Sequence, residues 1–242
     1  MKPEERTFVA LDTRDLDRAR ELARILSGRV GGFKIGLEAF VAFGPSLIEE
    51  MRGAGHIVFL DLKFHDIPNT VAGAAAAAAR LGVGLFTVHA LGGPAMIARA
   101  VEASRAAALP GSEAPVVLAV TILTSHDDLS LRRIGIEGDC ATAVPRLAAL
   151  AREAGAGGVV CSPLEVAAAR RAFPEGVLVV PGIRPKAEGP RPPDDQARVA
   201  TPAEAILAGA DRIVVGRPIT EAPDPAAAAE AIADDIRRNA GI

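Results

Sequence analysis

Eight short runs rich in Val, Ile, Leu and Phe recur along the chain and alternate with segments of helical periodicity. Several runs are apolar at consecutive positions, which is typical of strands buried on both faces of a parallel sheet. The runs predict strands near 8–12, 31–36, 57–63, 85–90, 116–122, 158–162, 177–181 and 212–216. Eight strands alternating with helices favour an α/β fold of the (β/α)8 (TIM) barrel type, with a doubly wound open sheet as the alternative.

The segments between these runs carry helix-boundary residues. Residues 15–28 begin with Asp15, which suits an N-cap, and end with Gly28, which suits a helix C-terminus. The patterns predict helices over 15–28, 45–54, 70–81, 94–108, 141–154, 163–172, 201–209 and 225–239. No linker or shift in composition divides the chain, so we expect a single barrel domain over 1–242.

Composition excludes several classes of protein. The chain has 27 Lys and Arg against 30 Asp and Glu, so it lacks the excess positive charge of a nucleic-acid or membrane-surface binder. Half of the residues are hydrophobic, which argues against disorder. The N-terminus lacks an apolar signal segment, and no run reaches the roughly 18 apolar residues of a membrane helix. Cys140 and Cys161 are too few for a disulfide framework, so we expect a reduced, cytoplasmic setting.

Charged residues concentrate at the ends of the first three predicted strands. Asp61 and Lys63 lie two apart on the third strand and therefore point to the same face, and Asp66 follows just past that strand. Asp12 ends the first predicted strand and Lys34 lies in the second, so these side chains can converge at one mouth of the barrel. Such a cluster keeps a lysine charged and fixed, which suits general-acid chemistry; a structural ion pair is the alternative for an isolated Asp-x-Lys.

A second group of residues follows strands seven and eight. Arg184 comes after Pro181-Gly182-Ile183, and Gly216-Arg217 come after Ile213-Val214-Val215. Barrels often bind phosphate with these two loops, and arginine offers two parallel hydrogen bonds to phosphate oxygens. The proline-rich loop 184–196 predicts either a lid over the site or a solvated excursion. The four histidines show no metal-ligand spacing, so we expect no metal site.

Taken together, these stretches resemble the orotidine 5'-phosphate decarboxylase family. The specific signature is Asp61-Leu-Lys63-Phe-His-Asp66-Ile67-Pro68-Asn69-Thr70. Supporting stretches follow in the same order as in the family: Ala10-Leu-Asp12, Phe33-Lys34-Ile-Gly36, Val120-Thr-Ile-Leu-Thr124-Ser125, Pro181-Gly-Ile-Arg184 and Val215-Gly216-Arg217-Pro-Ile219. The resemblance implies a cofactor-free lyase that converts orotidine 5'-monophosphate to uridine 5'-monophosphate and carbon dioxide, the last step of de novo pyrimidine nucleotide synthesis. It also implies a homodimer with shared active sites.

The resemblance also implies a role for each matching residue. Lys63 would protonate C6, Asp61 would face the substrate carboxylate, and Lys34 would pair with Asp61. Asp12 and Lys34 would bind the ribose hydroxyls, and Asp66 and Thr70 would enter the partner's site. The remaining substrate-binding residues would be Ile67, Thr124 beside the pyrimidine, and Arg184, Gln196, Gly216 and Arg217 around the phosphate.

Two other functions fit parts of this pattern. A magnesium-dependent sugar-phosphate lyase or synthase, similar to 3-keto-gulonate-6-phosphate decarboxylase, shares the Asp-x-Lys-x-x-Asp motif but places a carboxylate on the second strand. Here that strand carries Lys34, whose charge would repel the metal, and Glu38 lies beyond the strand. A non-catalytic nucleotide-binding barrel would need the phosphate site but not the whole charged cluster.

Overall fold

Eight parallel strands close into a barrel in the computed structural model, which describes residues 1–185 and 199–241. Each strand pairs with the next along the chain, and β8 pairs with β1. The strands are β1 Thr7–Ala10, β2 Gly32–Gly36, β3 Val58–Phe64, β4 Leu85–His89, β5 Val116–Val120, β6 Gly158–Val160, β7 Val177–Val180 and β8 Arg212–Val215. The barrel prediction is confirmed, and closure by the β1–β8 pair excludes the open sheet.

Helices cover the outside of the barrel. They are α1 Leu16–Leu26, α2 Leu37–Phe43, α3 Pro45–Gly53, α4 Pro68–Arg80, α5 Gly93–Ala106, α6 Asp128–Arg133, α7 Cys140–Glu153, α8 Val166–Ala172, α9 Pro202–Leu207, α10 Arg217–Thr220 and α11 Pro225–Asn239. All eight predicted helices are present, and the one expected at 163 starts as the 3-10 turn Pro163–Glu165. Helices α2, α6 and α10 were not predicted.

The predicted helix boundaries have a clear local cause. Asp15 caps α1 by accepting hydrogen bonds from the backbone N–H groups of Asp17 and Arg18. Proline occupies the first turn of α3, α4, α5, α9 and α11, where its missing N–H has no helical partner to lose. The helix starts mark where the loops that follow the carboxyl ends of the strands end, and these loops form the mouth of the barrel.

The apolar core has two layers separated by the sheet. The larger layer packs the outward side chains of the strands, such as Leu60, against the helices. The smaller layer fills the barrel itself with Phe8, Ala10, Phe59, Leu85, Leu118, Val179 and Val214. Side chains alternate along each strand, so the positions two residues after Phe59 and Leu85, namely Asp61 and Thr87, also face the interior, closer to the carboxyl ends of the strands.

Two further features of the chain concern apolar helices and cysteines. No helix within residues 1–185 and 199–241 is long and apolar enough to cross a lipid bilayer. Cys140 and Cys161 are both buried thiols.

Candidate active site

The carboxyl ends of the strands surround a cavity of about 660 Å³. Active sites of (β/α)8 barrels lie at this end. Most of the residues selected from the sequence line the cavity: Asp12, Lys34, Asp61, Lys63, Thr124, Arg184, Gly216 and Arg217. Apolar side chains that include Phe59, Val160 and Val214 line its deeper part. The cavity therefore combines an apolar floor with a charged wall.

The charged wall is a chain of alternating carboxylates and ammonium groups. Lys34 Nζ lies 3.1 Å from Asp12 Oδ1 and 3.7 Å from Asp61 Oδ2. Lys63 Nζ donates to the same Asp61 oxygen at 2.9 Å. Strand register explains this proximity, because Ala10 pairs with Lys34 and Gly36 pairs with Asp61. The sequence predicts Asp12 as the last residue of the first strand, but β1 ends at Ala10 and Asp12 lies two residues beyond it.

Asp61 is the centre of this chain and is held ionised. Burial alone would raise the pKa of its carboxyl, because a charge is poorly solvated there. The positive charges of Lys34 and Lys63, with hydrogen bonds from Lys63 and Thr87, outweigh that effect and keep the pKa of Asp61 below its usual value. Asp61 is therefore a fixed negative charge between two cations, with its side chain only 13% exposed.

Lys63 has an unusual backbone, which sequence reasoning missed. Its φ is +50°, the only positive φ at a non-glycine position in the described chain. At this point β3 departs from regular pairing with β4: Leu60 pairs with Phe86 and Phe64 with Val88, so 61–63 lie opposite the single residue Thr87. The Lys63 N–H donates to the Thr87 hydroxyl oxygen at 2.9 Å. A side chain thus takes the place of a backbone partner in the sheet.

Gly36 provides the space for the Lys34–Asp12 ion pair. A Cβ added at this position would lie 2.8 Å from Lys34 Nζ and 3.0 Å from Asp12 Oδ1. The backbone of Gly36 is extended (φ −92°, ψ −175°), a conformation open to any residue. Glycine is therefore required here because a Cβ would crowd the ion pair, and not because the backbone conformation excludes other residues.

Two arginines follow the seventh and eighth strands at the same mouth of the barrel. Arg184 follows β7 and Arg217 opens α10 immediately after Gly216, and all three residues line the cavity. The Arg184 guanidinium also donates to the carbonyl of Ile183. Gln196 and most of the loop predicted as a lid or a solvated excursion, residues 186–196, lie outside the described residues. The positions of the two arginines suit an anion such as a phosphate at this side of the cavity.

Three signature residues do not line the cavity of their own chain. Asp66, Ile67 and Thr70 are exposed on the loop and first turn that lead into α4. Asp66 accepts a hydrogen bond from the backbone N–H of Ile67, and the Ile67 side chain is 67% exposed. Within one chain, therefore, the structure brings together the first part of the signature, Asp61 and Lys63, but not the second.

Histidines lie beside the site without forming a metal centre. The rings of His65 and His89 stack with centroids 5.2 Å apart. Burial lowers the pKa of His89 to about 4, with further lowering by electrostatic interaction with His65, Lys63 and His126. No cluster of three or more His, Cys, Asp or Glu suited to a metal ion occurs in the described part of the chain.

Comparison with known proteins agrees with this geometry. Residues 5–232 match the model of the orotidine 5'-phosphate decarboxylase / HUMPS family. The chain is 55% identical to the orotidine 5'-phosphate decarboxylase of Anaeromyxobacter sp. (strain K), over 96% of this chain and 99% of that protein. Identity is 52% to the enzyme of the same name from Geobacter sulfurreducens, over 96% of each chain.

A solved structure shows the same likeness in three dimensions. The crystal structure of orotidine 5'-phosphate decarboxylase from Lactobacillus acidophilus superposes with a TM-score of 0.84 at 40% identity, covering 95% of this chain and 98% of that chain. The family match and the relatives thus span nearly the whole barrel, including every described residue of the charged wall. The chain belongs to the orotidine 5'-phosphate decarboxylase / HUMPS family.

Proposed function

We propose that this protein decarboxylates orotidine 5'-monophosphate to uridine 5'-monophosphate, with Lys63 as the proton donor. The observation that carries the proposal is the chain Asp12–Lys34–Asp61–Lys63 on one wall of a cavity that Arg184 and Arg217 also line. A phosphorylated nucleotide needs an anion site separated from the reacting carbon, and the cavity offers both. The names of the relatives support the same substrate.

The reaction breaks the bond between C6 and the carboxylate carbon. Carbon dioxide leaves, the electron pair stays on C6, and a proton from the Lys63 ammonium then forms the new C6–H bond. The neutral lysine regains a proton from water. A cation placed in advance stabilises the negative charge that develops at C6, and it does so without reorganisation during the step.

Asp61 and Lys34 prepare the site for this step. The Asp61 carboxylate would face the substrate carboxylate, so the two negative charges repel each other until carbon dioxide departs. The same carboxylate keeps the Lys63 ammonium in place through the 2.9 Å hydrogen bond. Lys34 and Asp12 would bind the ribose hydroxyls, Thr124 would lie beside the pyrimidine, and Arg184, Gly216 and Arg217 would hold the phosphate, with Gln196 as a further phosphate ligand.

The exposed signature residues support a homodimer with shared sites. Asp66, Ile67 and Thr70 lie outside the cavity of their own chain, although they continue the sequence signature of that cavity. In the proposed dimer these residues complete the partner's site. The same proposal includes a role as the last step of pyrimidine nucleotide synthesis in the cytoplasm, which the buried, reduced cysteines suit.

The activity is tested by following the loss of pyrimidine absorbance from orotidine 5'-monophosphate after exhaustive chelation. We expect full turnover without added metal. A strict requirement for magnesium, together with turnover of a sugar phosphate, would instead favour the sugar-phosphate lyase. Tight nucleotide binding without any turnover would favour the non-catalytic barrel.

The shared site is tested by mixing two inactive variants, Lys63→Ala and Asp66→Ala, under conditions of proven subunit exchange. In a mixed dimer with shared sites, one site carries both substitutions and the other carries neither. Random pairing makes about half of the dimers mixed, so roughly a quarter of all sites regain activity under two-fold symmetry. If Asp66 serves its own chain, every site keeps one lesion and the mixture stays inactive.

A further inference from the structure

Thr87 is a buried polar residue of the site that no sequence pattern singled out. It lies in the middle of β4, between the apolar residues Phe86 and Val88, and its side chain is fully buried. Its hydroxyl donates to Asp61 Oδ1 at 2.9 Å and accepts from the Lys63 N–H at 2.9 Å. One hydroxyl therefore contacts both residues that the proposed reaction needs most.

These two contacts use the only donor of the hydroxyl group and one of its two acceptor lone pairs. The donated bond holds Oδ1 of Asp61, so that Oδ2 is left to face Lys63 at 2.9 Å and Lys34 at 3.7 Å. With both of its oxygens engaged, the carboxylate has little freedom to rotate. The distance between the Asp61 carboxylate and the Lys63 ammonium is set in part from β4.

The accepted bond acts on the backbone of Lys63. A φ of +50° is unfavourable for a side chain with a Cβ, and it persists only where surrounding contacts hold it. Here the irregular pairing between β3 and β4 removes the regular backbone partner, and the Thr87 hydroxyl receives the Lys63 N–H instead. Residues held in such conformations cluster at functional sites.

We propose that Thr87 is a positioning residue, which acts through Lys63 and Asp61 by fixing the backbone of the first and the carboxylate of the second. This inference deepens the proposed function, because it assumes that Lys63 and Asp61 act on the substrate. Thr87 does not line the cavity and need not touch the nucleotide. Its loss should therefore affect the chemical step more than substrate binding.

The test compares Thr87→Val, which keeps the shape and removes the hydroxyl, with Thr87→Ser, which keeps the hydroxyl. Thr87→Ala is measured in parallel, so that the comparison does not depend on how one variant folds. Thr121→Val is the matched control, because Thr121 is also fully buried and its hydroxyl donates to a backbone carbonyl, that of Val160, at 2.9 Å. Circular dichroism and thermal unfolding establish that each variant is folded.

We expect Thr87→Val and Thr87→Ala to lower kcat by about 10- to 100-fold with KM changed less than about threefold, since each hydrogen bond to a charged group is worth one to two decades. Thr87→Ser and Thr121→Val should stay within about threefold of wild type in kcat. Equal kcat for wild type and Thr87→Val would overturn the inference. So would a loss in Thr87→Ser or Thr121→Val as large as that in Thr87→Val.

A second readout does not depend on turnover, and it separates this inference from the proposed function. Asp61 faces the ammonium groups of Lys34 and Lys63, and Asp12 lies beyond Lys34. Removing the Thr87 hydrogen bond should raise the pKa of the Asp61 carboxyl in Thr87→Val but not in Thr87→Ser. Carbon-13 NMR of the Asp61 carboxyl measures this pKa. An inactive wild type would refute the proposed function alone, whereas an unchanged Asp61 titration would refute the role of Thr87.

Discussion

A single methyl group added at Gly36 should damage the site without damaging the fold. The Cβ of Gly36→Ala would lie 2.8 Å from Lys34 Nζ, which is about 0.6 Å short of an ordinary contact of roughly 3.4 Å, and 3.0 Å from Asp12 Oδ1. Both contacts are to the ends of flexible side chains, so the ion pair moves and the barrel does not. The backbone of Gly36 is already extended, so alanine adds no strain.

The expected loss of activity follows from the displacement of the Lys34–Asp12 ion pair. Shifts of about 1 Å in a positioned group cost up to about 100-fold in rate, so we expect kcat/KM to fall by about 10- to 100-fold. The effect should appear partly in KM, since Asp12 and Lys34 are proposed to bind the ribose. Steady-state absorbance assays on orotidine 5'-monophosphate measure both constants, and thermal unfolding monitors stability.

Gly53→Ala is the matched control for the substitution itself. Gly53 ends α3, and a Cβ there would meet no atom within 4 Å. We expect this variant to match wild type in both kinetics and unfolding midpoint. If Gly36→Ala is folded and retains kcat/KM within about twofold of wild type, the Lys34–Asp12 pair does not need its observed position, and the reasoning fails.

Three further predictions concern other parts of the site. Lys63→Ala should lower kcat by about 10⁴-fold or more while uridine 5'-monophosphate, measured by calorimetry, binds within about tenfold of wild type; activity within tenfold of wild type would exclude Lys63 as the donor. Arg217→Ala should weaken uridine 5'-monophosphate by about 10- to 100-fold but leave uridine unchanged, and equal effects on the two ligands would remove Arg217 from the phosphate site. His89 has a folded-state pKa of about 4 against 6.5 for the free side chain, so the unfolded chain binds a proton between these values and stability falls as pH drops through that window. Thermal unfolding of wild type and His89→Asn across that range should show a shallower decline in the variant, and parallel curves would contradict it.

The fold was largely predictable from the sequence because local sequence patterns determine its strands and helices. Continuous apolar runs gave the buried parallel strands, and proline and aspartate marked the helix starts. The helices that were not predicted, α2, α6 and α10, have seven, six and four residues, so a period of 3.6 is hard to recognise in them. Helices α8 and α9 are as short, but they lie in the longer helix-like segments 163–172 and 201–209, each of which begins at or next to a proline. The predicted end of β1 is two residues too late because Leu11 extends the apolar run of the strand toward Asp12.

The charged wall was also predictable from local sequence patterns. The contacts of Thr87 and the space beside Gly36, which hold the wall in place, were not. Asp61 and Lys63 share a face through the two-residue period of a strand, and adjacent strands bring Lys34 alongside. Thr87 looks like any single threonine in an apolar strand, and its role depends on the irregular register between β3 and β4. That register, like the space beside Gly36, is a tertiary property with no local signal.

The apolar floor of the cavity determines where the substrate enters and where the products leave. Phe8 and Phe59 meet edge to face, with ring centroids 6.0 Å apart, and with their apolar neighbours they close the amino-terminal end of the cavity. Substrate entry and departure of both products therefore share the mouth at the carboxyl ends of the strands. A nucleotide product that is still bound there excludes the next substrate, so inhibition by product should be competitive, with a strength set by the phosphate contacts proposed for Arg184 and Arg217.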